Sequence, residues 1–338
     1  MNSFILDRKI FILLLSALFL FAGSLDIYAQ TGSATTSKKS SNQSSKKHKT
    51  RQKSSGVVYK RPAPASFLID ADSGKILESE NADSLRYPAS LTKMMTLYLT
   101  FEAIKKGNLT LNQNITVSKH ASGQPQTNIS LKPGDTLLVK DAILSLVIRS
   151  ANDSAVVIAE AIGGSEPAFA QKMTGKAKEL GMKNTVFFNA SGLPDPRQLT
   201  TARDMATLGL ALRRDFPQYF PFFKTESFTY RGKTYETHNH VMMRYGGVDG
   251  IKTGYIRASG FNLVTSATKN GKRFIGVVIG GSSFKSRDDK MIAMLDRNFA
   301  KFTTSKNSEK VDVSTKQVKT SNQKAFDFLE KGEGDLQK

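Results

Sequence analysis

The sequence predicts a mixed α/β (α+β) fold in which one antiparallel sheet takes strands from both ends of the folded region. Strand-like segments lie near residue 66 and again after residue 248, whereas the long apolar stretches between them have the length and spacing of helices. Strands at both ends with helices between them indicate a helical region inserted into the sheet. The 338-residue chain, 39% hydrophobic, is long enough to bury a substantial core.

The first predicted elements are a β-hairpin and a helix. Residues 66–70 and 75–78 flank the turn Asp72-Ser73-Gly74, so they are predicted to be paired strands. A helix is predicted to follow Pro88 and to end near Gly107, because apolar residues recur at helical spacing between them.

The middle of the chain is predicted to be helical. The predicted helices are Val139–Ile148, a segment from 155 to 163, Glu166–Leu180 and Ala202–Leu212. Thr201 and Asp204 resemble a capping box at the start of the last of these, with Asp in place of the usual Glu.

After residue 247 the composition changes to that of strands. The predicted strands are Val248–Thr253, Gly260–Thr268 and Arg273–Gly280. Asn270-Gly271 between the last two is a strong hairpin signal. A final helix is predicted over Asp288–Phe302.

The ends of the chain differ from this folded region. The predicted organisation is a signal peptide over residues 1–29, a disordered basic Ser/Lys-rich linker over 30–64, a folded domain over 65–303 and a disordered polar tail over 304–338. The N-terminus has Arg8-Lys9 followed by a short apolar run, which favours a cleaved signal over the alternative of an uncleaved anchor. Both alternatives imply export to the periplasm or cell envelope.

Cysteine content and charge distribution exclude several function classes. The chain has no cysteine, which rules out disulfides, a thiol nucleophile and zinc–thiolate sites. The formal charge is +20, but much of it lies in the linker, so nucleic-acid binding is not expected. The linker is either a soluble tether or a contact to an anionic envelope surface, and the sequence leaves both open.

The first motif with chemical meaning is Ser90-Leu91-Thr92-Lys93. Three residues apart at a helix start, Ser90 and Lys93 share one face, so the lysine can take the serine proton if its amine is neutral. Burial and a second cation both lower a lysine pKa, and Lys252 would be that cation if its strand passes the helix. Without the other motifs, an ordinary N-terminal helix serine would be the better interpretation of Ser90.

Two further motifs follow in order. Ser150-Ala151-Asn152 lies between two apolar helices, where Ser150 could relay a proton and Asn152 could hold a peptide group, although a helix N-cap is the simpler interpretation of that motif alone. Lys252-Thr253-Gly254 ends a predicted strand. Its cation, its hydroxyl and the glycine backbone, which no side chain covers, could bind a carboxylate. A protective lysine on an edge strand is the alternative.

Taken together, the chain resembles the serine DD-peptidases of the low-molecular-mass penicillin-binding protein type, the D-alanyl-D-alanine carboxypeptidases (peptidase S11-like). The resemblance extends over about residues 65–302. It includes the segments Tyr87–Met95, Ser150–Ala155, Phe188–Pro194, Thr201–Ala206 and Gly247–Tyr255. It implies a β-lactamase/DD-peptidase-like transpeptidase fold, with no metal or cofactor.

The resemblance also implies roles for individual residues. Ser90 would attack the terminal D-Ala-D-Ala bond of a peptidoglycan pentapeptide, with Lys93 as base and Ser150 and Lys252 assisting proton transfer to the departing D-alanine. The substrate would be bound by Asn152, Lys252, Thr253, Gly254 and Tyr255, with the backbone N–H groups of Ser90 and Tyr255 as the oxyanion hole. β-Lactam antibiotics would be covalent inhibitors that acylate Ser90.

The chain departs from the family pattern in two ways. Many relatives have an arginine near the position of His238 to meet the substrate carboxylate, and Arg257 is the replacement that we consider here. We also expect neither the β-rich second domain nor the C-terminal amphipathic anchor that are frequent in the family. His238 and His240 give no metal motif.

Three alternative functions remain at this stage. A DD-endopeptidase would use the same motifs, and a serine β-lactamase would share the fold. The Glu-x-x-x-Asn deacylation pattern is missing at Glu166, which has Ala170 at the fourth following position. A non-catalytic envelope-binding protein is the remaining alternative.

Overall fold

The computed structural model describes residues 62–301. The predicted signal peptide, nearly all of the linker and the polar tail lie outside these residues. Within them, no helix combines the length and the apolar character needed to cross a membrane.

A five-stranded antiparallel sheet forms the centre of the fold, in the order β2-β1-β9-β8-β7. The strands are β1 Ala65–Asp70, β2 Ile76–Glu80, β7 Val248–Ile256, β8 Gly260–Lys269 and β9 Lys272–Gly281. The predicted pairing of the first strand with the last is confirmed, with Phe67 opposite Val277. β7 lies at the edge of this sheet, so one side of its backbone is available to other groups.

The Asn270-Gly271 hairpin between β8 and β9 is also confirmed. Both residues have positive φ, 52° and 76°, which a two-residue type I′ turn requires. This short turn fixes the register of β8 and β9.

The helices form the second part of the fold. They are α1 Lys93–Lys105, α2 Lys119–Ser122, α3 Val139–Ile148, α4 Asn152–Gly163, α5 Glu166–Glu179, α6 Ala202–Asp215, α7 His240–Arg244 and α8 over 284–301. Short 3₁₀ turns occupy Ala89–Thr92 and Phe220–Lys224.

The sheet is covered on both faces because its side chains alternate in direction. Phe67 and Val277 belong to the large core shared with the helical region, whereas Leu68 and Val278 pack with α8 on the other face. α6 approaches the sheet closely at Gly209, where a β-carbon would lie 3.0 Å from Ile275 Cγ2. Close packing of α6 on the sheet therefore fixes the position of the helical region relative to the strands.

The short elements of the fold have no clear signal in the sequence and were not predicted. These are the strand pairs β3 Asn114–Thr116 with β4 Thr136–Leu138 and β5 Ser227–Tyr230 with β6 Lys233–Glu236, together with α2 and α7. Segments of three to five residues carry too few residues to show a period.

The strand predicted over Val248–Thr253 extends to Ile256, and the helix predicted from residue 155 begins at Asn152. Two further predictions need correction. α8 begins at residue 284 instead of 288, because Ser283 Oγ accepts from the Ser286 N–H at 3.0 Å and caps the helix earlier. The capping box is half correct. Thr201 Oγ1 accepts from the Asp204 N–H at 3.1 Å, but Asp204 Oδ2 accepts instead from the Asn184 N–H and from Thr185 Oγ1, at 2.8 and 2.7 Å.

We expect Asp204→Ala to lower the free energy of unfolding by about 2 kcal/mol, because the buried Thr185 hydroxyl and the Asn184 N–H both lose a charged acceptor. Urea titration followed by circular dichroism measures this loss. Glu236→Ala, at an exposed strand position, is the control and should change stability by less than about 0.5 kcal/mol. Equal stability of the two variants would contradict the structural role given to Asp204.

Candidate active site

Ser90 lies in the 3₁₀ turn that leads into α1, and Lys93 is the first residue of that helix. The Ser90 side chain is half-buried, whereas Lys93 has no exposed surface. Lys93 Nζ is 3.4 Å from Ser90 Oγ. The turn therefore brings the hydroxyl and the amine together, as their spacing predicts.

Two other acceptors lie closer to the Lys93 amine. Nζ donates to Asn152 Oδ1 at 2.7 Å and to the Ser191 carbonyl at 2.6 Å. Burial lowers the pKa of Lys93 well below its ordinary value, and the positive charge of Lys252 lowers it further. The carboxylates of Asp153 and Glu166 oppose this shift. The expected effect of Lys252 is thus present, but burial is the larger cause.

The second motif lies between α3 and α4, as predicted. Ser150 has a positive φ of 60° and is 5% exposed. Its Oγ has no hydrogen-bond partner among residues 62–301. Asn152 opens α4 and, besides accepting from Lys93, donates through Nδ2 to the Pro125 carbonyl at 2.9 Å. Ser150 therefore presents a free hydroxyl beside the amide that holds Lys93.

The third motif lies on the edge strand β7. Lys252 is 2% exposed and donates to the Thr253 carbonyl at 3.1 Å. Its burial and the nearby charge of Arg287 lower its pKa to about 7. Tyr255 is half exposed, with its ring 4.4 Å from that of Phe261.

Gly254 allows β7 to approach Ser90. A β-carbon at this position would lie 3.0 Å from the Ser90 nitrogen and 3.2 Å from the Leu91 nitrogen. The strand edge therefore runs directly against the turn that carries Ser90, and a side chain larger than hydrogen would separate them.

A loop over residues 189–193 completes the surroundings of Lys93, and the sequence analysis gave it no role. Asn189 Oδ1 accepts from the Gly192 N–H at 2.7 Å, which folds the loop back. Gly192 has a φ of +86°, and a β-carbon there would lie 1.9 Å from the Ala89 carbonyl oxygen. The segment Phe188–Pro194, part of the family resemblance, indicates this loop. The Ser191 carbonyl is a backbone acceptor, so no residue type in the sequence identifies it.

Arg287 is a second residue that the sequence analysis missed. It is 4% exposed, donates to Asp288 at 2.7 and 2.8 Å and to the Asn262 carbonyl at 3.3 Å, and lines the same cleft as Ser90. Arg257 lines a different pocket, beside Tyr87. The cation that faces the cleft is therefore Arg287 and not Arg257, which corrects the expectation.

The cleft has a volume of about 450 Å³. The predicted residues that line it are Ser90, Ser150, Asn152, Thr253, Gly254 and Tyr255. His238 also lines it, and partial desolvation together with the charges of Lys252 and Arg149 lowers its pKa. Most of the predicted site residues therefore meet around one space.

Other features of the sequence lie outside this cleft. Ser282 and Lys285 have the same spacing as Ser90 and Lys93, but both are exposed and Lys285 pairs with Asp289 at 2.6 Å. Among residues 62–301, no group of three His, Cys, Asp or Glu side chains is arranged to hold a metal ion.

We expect Arg287→Gln to raise the pKa of Lys252 above its value of about 7, because a positive neighbour is removed. NMR titration of ¹⁵N-labelled lysine side chains measures the change. Lys285→Gln removes an exposed charge from the same helix and is the control. An unchanged Lys252 pKa in Arg287→Gln would show that the two cations do not interact.

Comparisons with known proteins agree with this geometry. The family model described as D-alanyl-D-alanine carboxypeptidase matches residues 48–283. The chain is 37% identical over 256 residues to D-alanyl-D-alanine carboxypeptidase DacF of Bacillus subtilis, covering 72% of this chain and 63% of the relative. It is 39% identical over 249 residues to DacC of Escherichia coli, covering 72% of this chain and 62% of the relative.

Solved structures show the same fold. Penicillin binding protein 5 from Haemophilus influenzae superimposes with a TM-score of 0.68 at 34% identity, covering 71% of this chain and 72% of that one. Penicillin binding protein 6B from Escherichia coli superimposes with a TM-score of 0.66 at 32% identity, covering 71% of this chain and 79% of that one. The predicted DD-peptidase-like fold is confirmed.

The match has a limited extent in the curated relatives. The chain spans 63% and 62% of the length of the two named above. Over this shared region, the chain belongs to the peptidase S11 family of D-alanyl-D-alanine carboxypeptidases.

Proposed function

We propose that this protein hydrolyses the terminal D-Ala-D-Ala bond of peptidoglycan stem peptides through an ester on Ser90. The observation that carries the proposal is the fully buried Lys93 amine, 3.4 Å from Ser90 Oγ at the edge of an open cleft. The family and its relatives named D-alanyl-D-alanine carboxypeptidase support this substrate class.

Lys93 is the proposed base. A neutral amine has two hydrogens and one lone pair. The two short contacts, to Asn152 Oδ1 and the Ser191 carbonyl, use both hydrogens. The lone pair is then left for the Ser90 hydroxyl, which donates its proton as Oγ attacks the substrate carbonyl.

The backbone N–H groups of Ser90 and Tyr255 are the proposed oxyanion donors. The close approach of Gly254 to the Ser90 nitrogen supports this assignment, because it brings the strand edge and the turn together at one point. Donors that are fixed before the reaction stabilise the charge that develops on the carbonyl oxygen.

Ser150 is the proposed proton relay. As the tetrahedral intermediate collapses, the C–N bond breaks and the departing amine of D-alanine needs a proton. The unpartnered Ser150 Oγ can donate one and recover another from the protonated Lys93, with Lys252 assisting. Water then attacks the ester and gives a proton to Lys93, which passes it to Ser90 Oγ as the acyl–oxygen bond breaks, and the shortened peptide is released.

Lys252, Thr253 and Arg287 are the proposed carboxylate site. Lys252 and Arg287 are buried, and Thr253 lines the cleft beside them. Arg287 is already paired with Asp288, whereas Lys252 donates to a neutral carbonyl, so a bound carboxylate would compensate the charge of Lys252. Asn152 would hold the acyl part of the peptide from the other wall, and β-lactams would enter the same site and acylate Ser90.

The β-lactamase alternative has less support. Rapid deacylation needs a carboxylate that can activate water next to the ester. Glu166 is the acid that the sequence analysis considered, but both of its oxygens are engaged, with His120 and with the Ala190 N–H. The endopeptidase alternative would use the same side chains.

The predicted export fits this function, since peptidoglycan lies outside the cytoplasmic membrane. We propose that residues 1–29 direct export to the periplasm or cell envelope and that residues 65–303 are the catalytic domain. The residues 30–64 carry basic charge that could contact an anionic surface, and residues 304–338 form a polar tail.

Labelled penicillin and a pentapeptide ending in D-Ala-D-Ala test the function. We expect a stable label on Ser90 and release of free D-alanine, and both should be lost in Ser90→Ala. Ser282→Ala is the control, because Ser282 has the same spacing to a lysine but lies outside the cleft, and it should keep both activities. Label mapping by mass spectrometry and enzymatic D-alanine detection are the measurements. Fast drug turnover would instead indicate a β-lactamase, and an unlabelled wild-type protein a binding protein.

Gly254→Ala tests the contact between strand and nucleophile. We expect acylation to slow by about tenfold, because the added methyl must displace the Ser90 turn by a few tenths of an ångström. Gly175→Ala is the matched control, since Gly175 has open space around it. Stopped-flow acylation measures both, and equal rates would contradict the importance of this contact.

A further inference from the structure

Glu166 is a nearly buried carboxylate at the start of α5, 9% exposed, and the mechanism above does not use it. Its two oxygens have different partners. Oε1 accepts from the Ala190 N–H at 3.0 Å, and Oε2 lies 2.8 Å from His120 Nε2. A single side chain therefore joins two segments that are distant in sequence.

The first segment is the loop that holds the catalytic lysine. Ala190 is followed by Ser191, whose carbonyl accepts from Lys93 at 2.6 Å. The Ala190 carbonyl accepts from Thr96 Oγ1, also at 2.6 Å. This strip of backbone is thus fixed by α1 on one side and by Glu166 on the other. The Ser191 carbonyl depends on the Ala190 peptide for its direction.

The second segment leads into another wall of the cleft, which Gln126 and Thr127 line. His120 lies in α2, and the chain that follows supplies Pro125 and Thr127. The Pro125 carbonyl accepts from Asn152 Nδ2 at 2.9 Å, and the Thr127 carbonyl accepts from the Asn152 N–H at 2.6 Å. This wall therefore holds the amide that is the other acceptor of Lys93.

We propose that Glu166 is a positioning residue that ties these two walls together and so fixes both hydrogen-bond acceptors of the Lys93 amine. The inference rests on the proposed role of Lys93 as base. Glu166 does not contact the reacting atoms and acts through Ala190 and His120.

The negative charge of Glu166 also acts on the pKa of Lys93, and this effect can be measured separately from its hydrogen bonds. The groups that act on the Lys93 amine are Lys252 from β7, Asp153 from α4 and Glu166 from α5. The Glu166 charge raises the pKa of Lys93, so its removal should lower that pKa. His120 faces Glu166 from α2 and is exposed.

Two substitutions separate the hydrogen bonds of Glu166 from its charge. Glu166→Ala removes both the hydrogen bonds and the charge, and we expect acylation by labelled penicillin to slow by about tenfold at its pH plateau. Glu166→Gln keeps an oxygen for the Ala190 N–H, so its plateau rate should return to within about threefold of the wild type. The acid limb of the Gln variant should move to lower pH, because neutral Lys93 then persists at lower pH.

Glu179→Ala is the matched control, because Glu179 is an exposed glutamate at the other end of α5. Its rate and pH profile should equal those of the wild type. Thermal unfolding of every variant is recorded alongside, and the pH shift of Glu166→Gln remains a test if the Ala variant is too unstable.

Two results would overturn the inference. One is wild-type acylation in Glu166→Ala; the other is a Glu166→Gln profile without an acid-limb shift and with a plateau as low as that of the Ala variant. The proposed function fails differently, through a wild-type protein that takes no label on Ser90 at all.

Discussion

Exclusion of water from the Lys93 amine is the constraint on which the rest of the site depends. A charged ammonium without solvent costs several kcal/mol unless anions compensate it, so a buried lysine loses its proton more readily than an exposed one. Here the direct partners are an amide oxygen and a carbonyl, which are neutral acceptors. The carboxylates Asp153 and Glu166 act on the amine from further away and limit the shift.

The fold supplies this environment by bringing three separate elements to one point. The turn before α1 carries Ser90, the junction of α3 and α4 carries Ser150 and Asn152, and the edge strand β7 carries Lys252. Two glycines make the close packing sterically feasible. Gly254 admits the strand against Ser90, and Gly192 admits the loop against Ala89. Side chains of ordinary size at these two positions would hold the elements apart.

The sequence predicted the parts of this arrangement that have a local signal. The sheet strands, the Asn270-Gly271 turn and the three ordered motifs depend on periodicity or on short patterns. Arg287, the Ser191 carbonyl and Glu166 could not be found in this way. Arg287 reaches the cleft through the packing of α8 on the sheet, which is a tertiary contact. The Ser191 carbonyl is a backbone group, so no residue type marks it. Glu166 has the position of an ordinary acid in the first turn of a helix.

The two buried lysines are coupled, and that coupling gives the empty and occupied sites different properties. With a pKa of about 7, Lys252 carries a proton only part of the time near neutral pH. A substrate carboxylate bound beside it would favour its charged form. The charge gained on Lys252 in turn disfavours a proton on Lys93, whose pKa it already lowers. Under the proposed function, an anionic ligand would therefore act on the Lys93 pKa in two opposite ways, lowering it through the charge gained on Lys252 and raising it through its own negative charge.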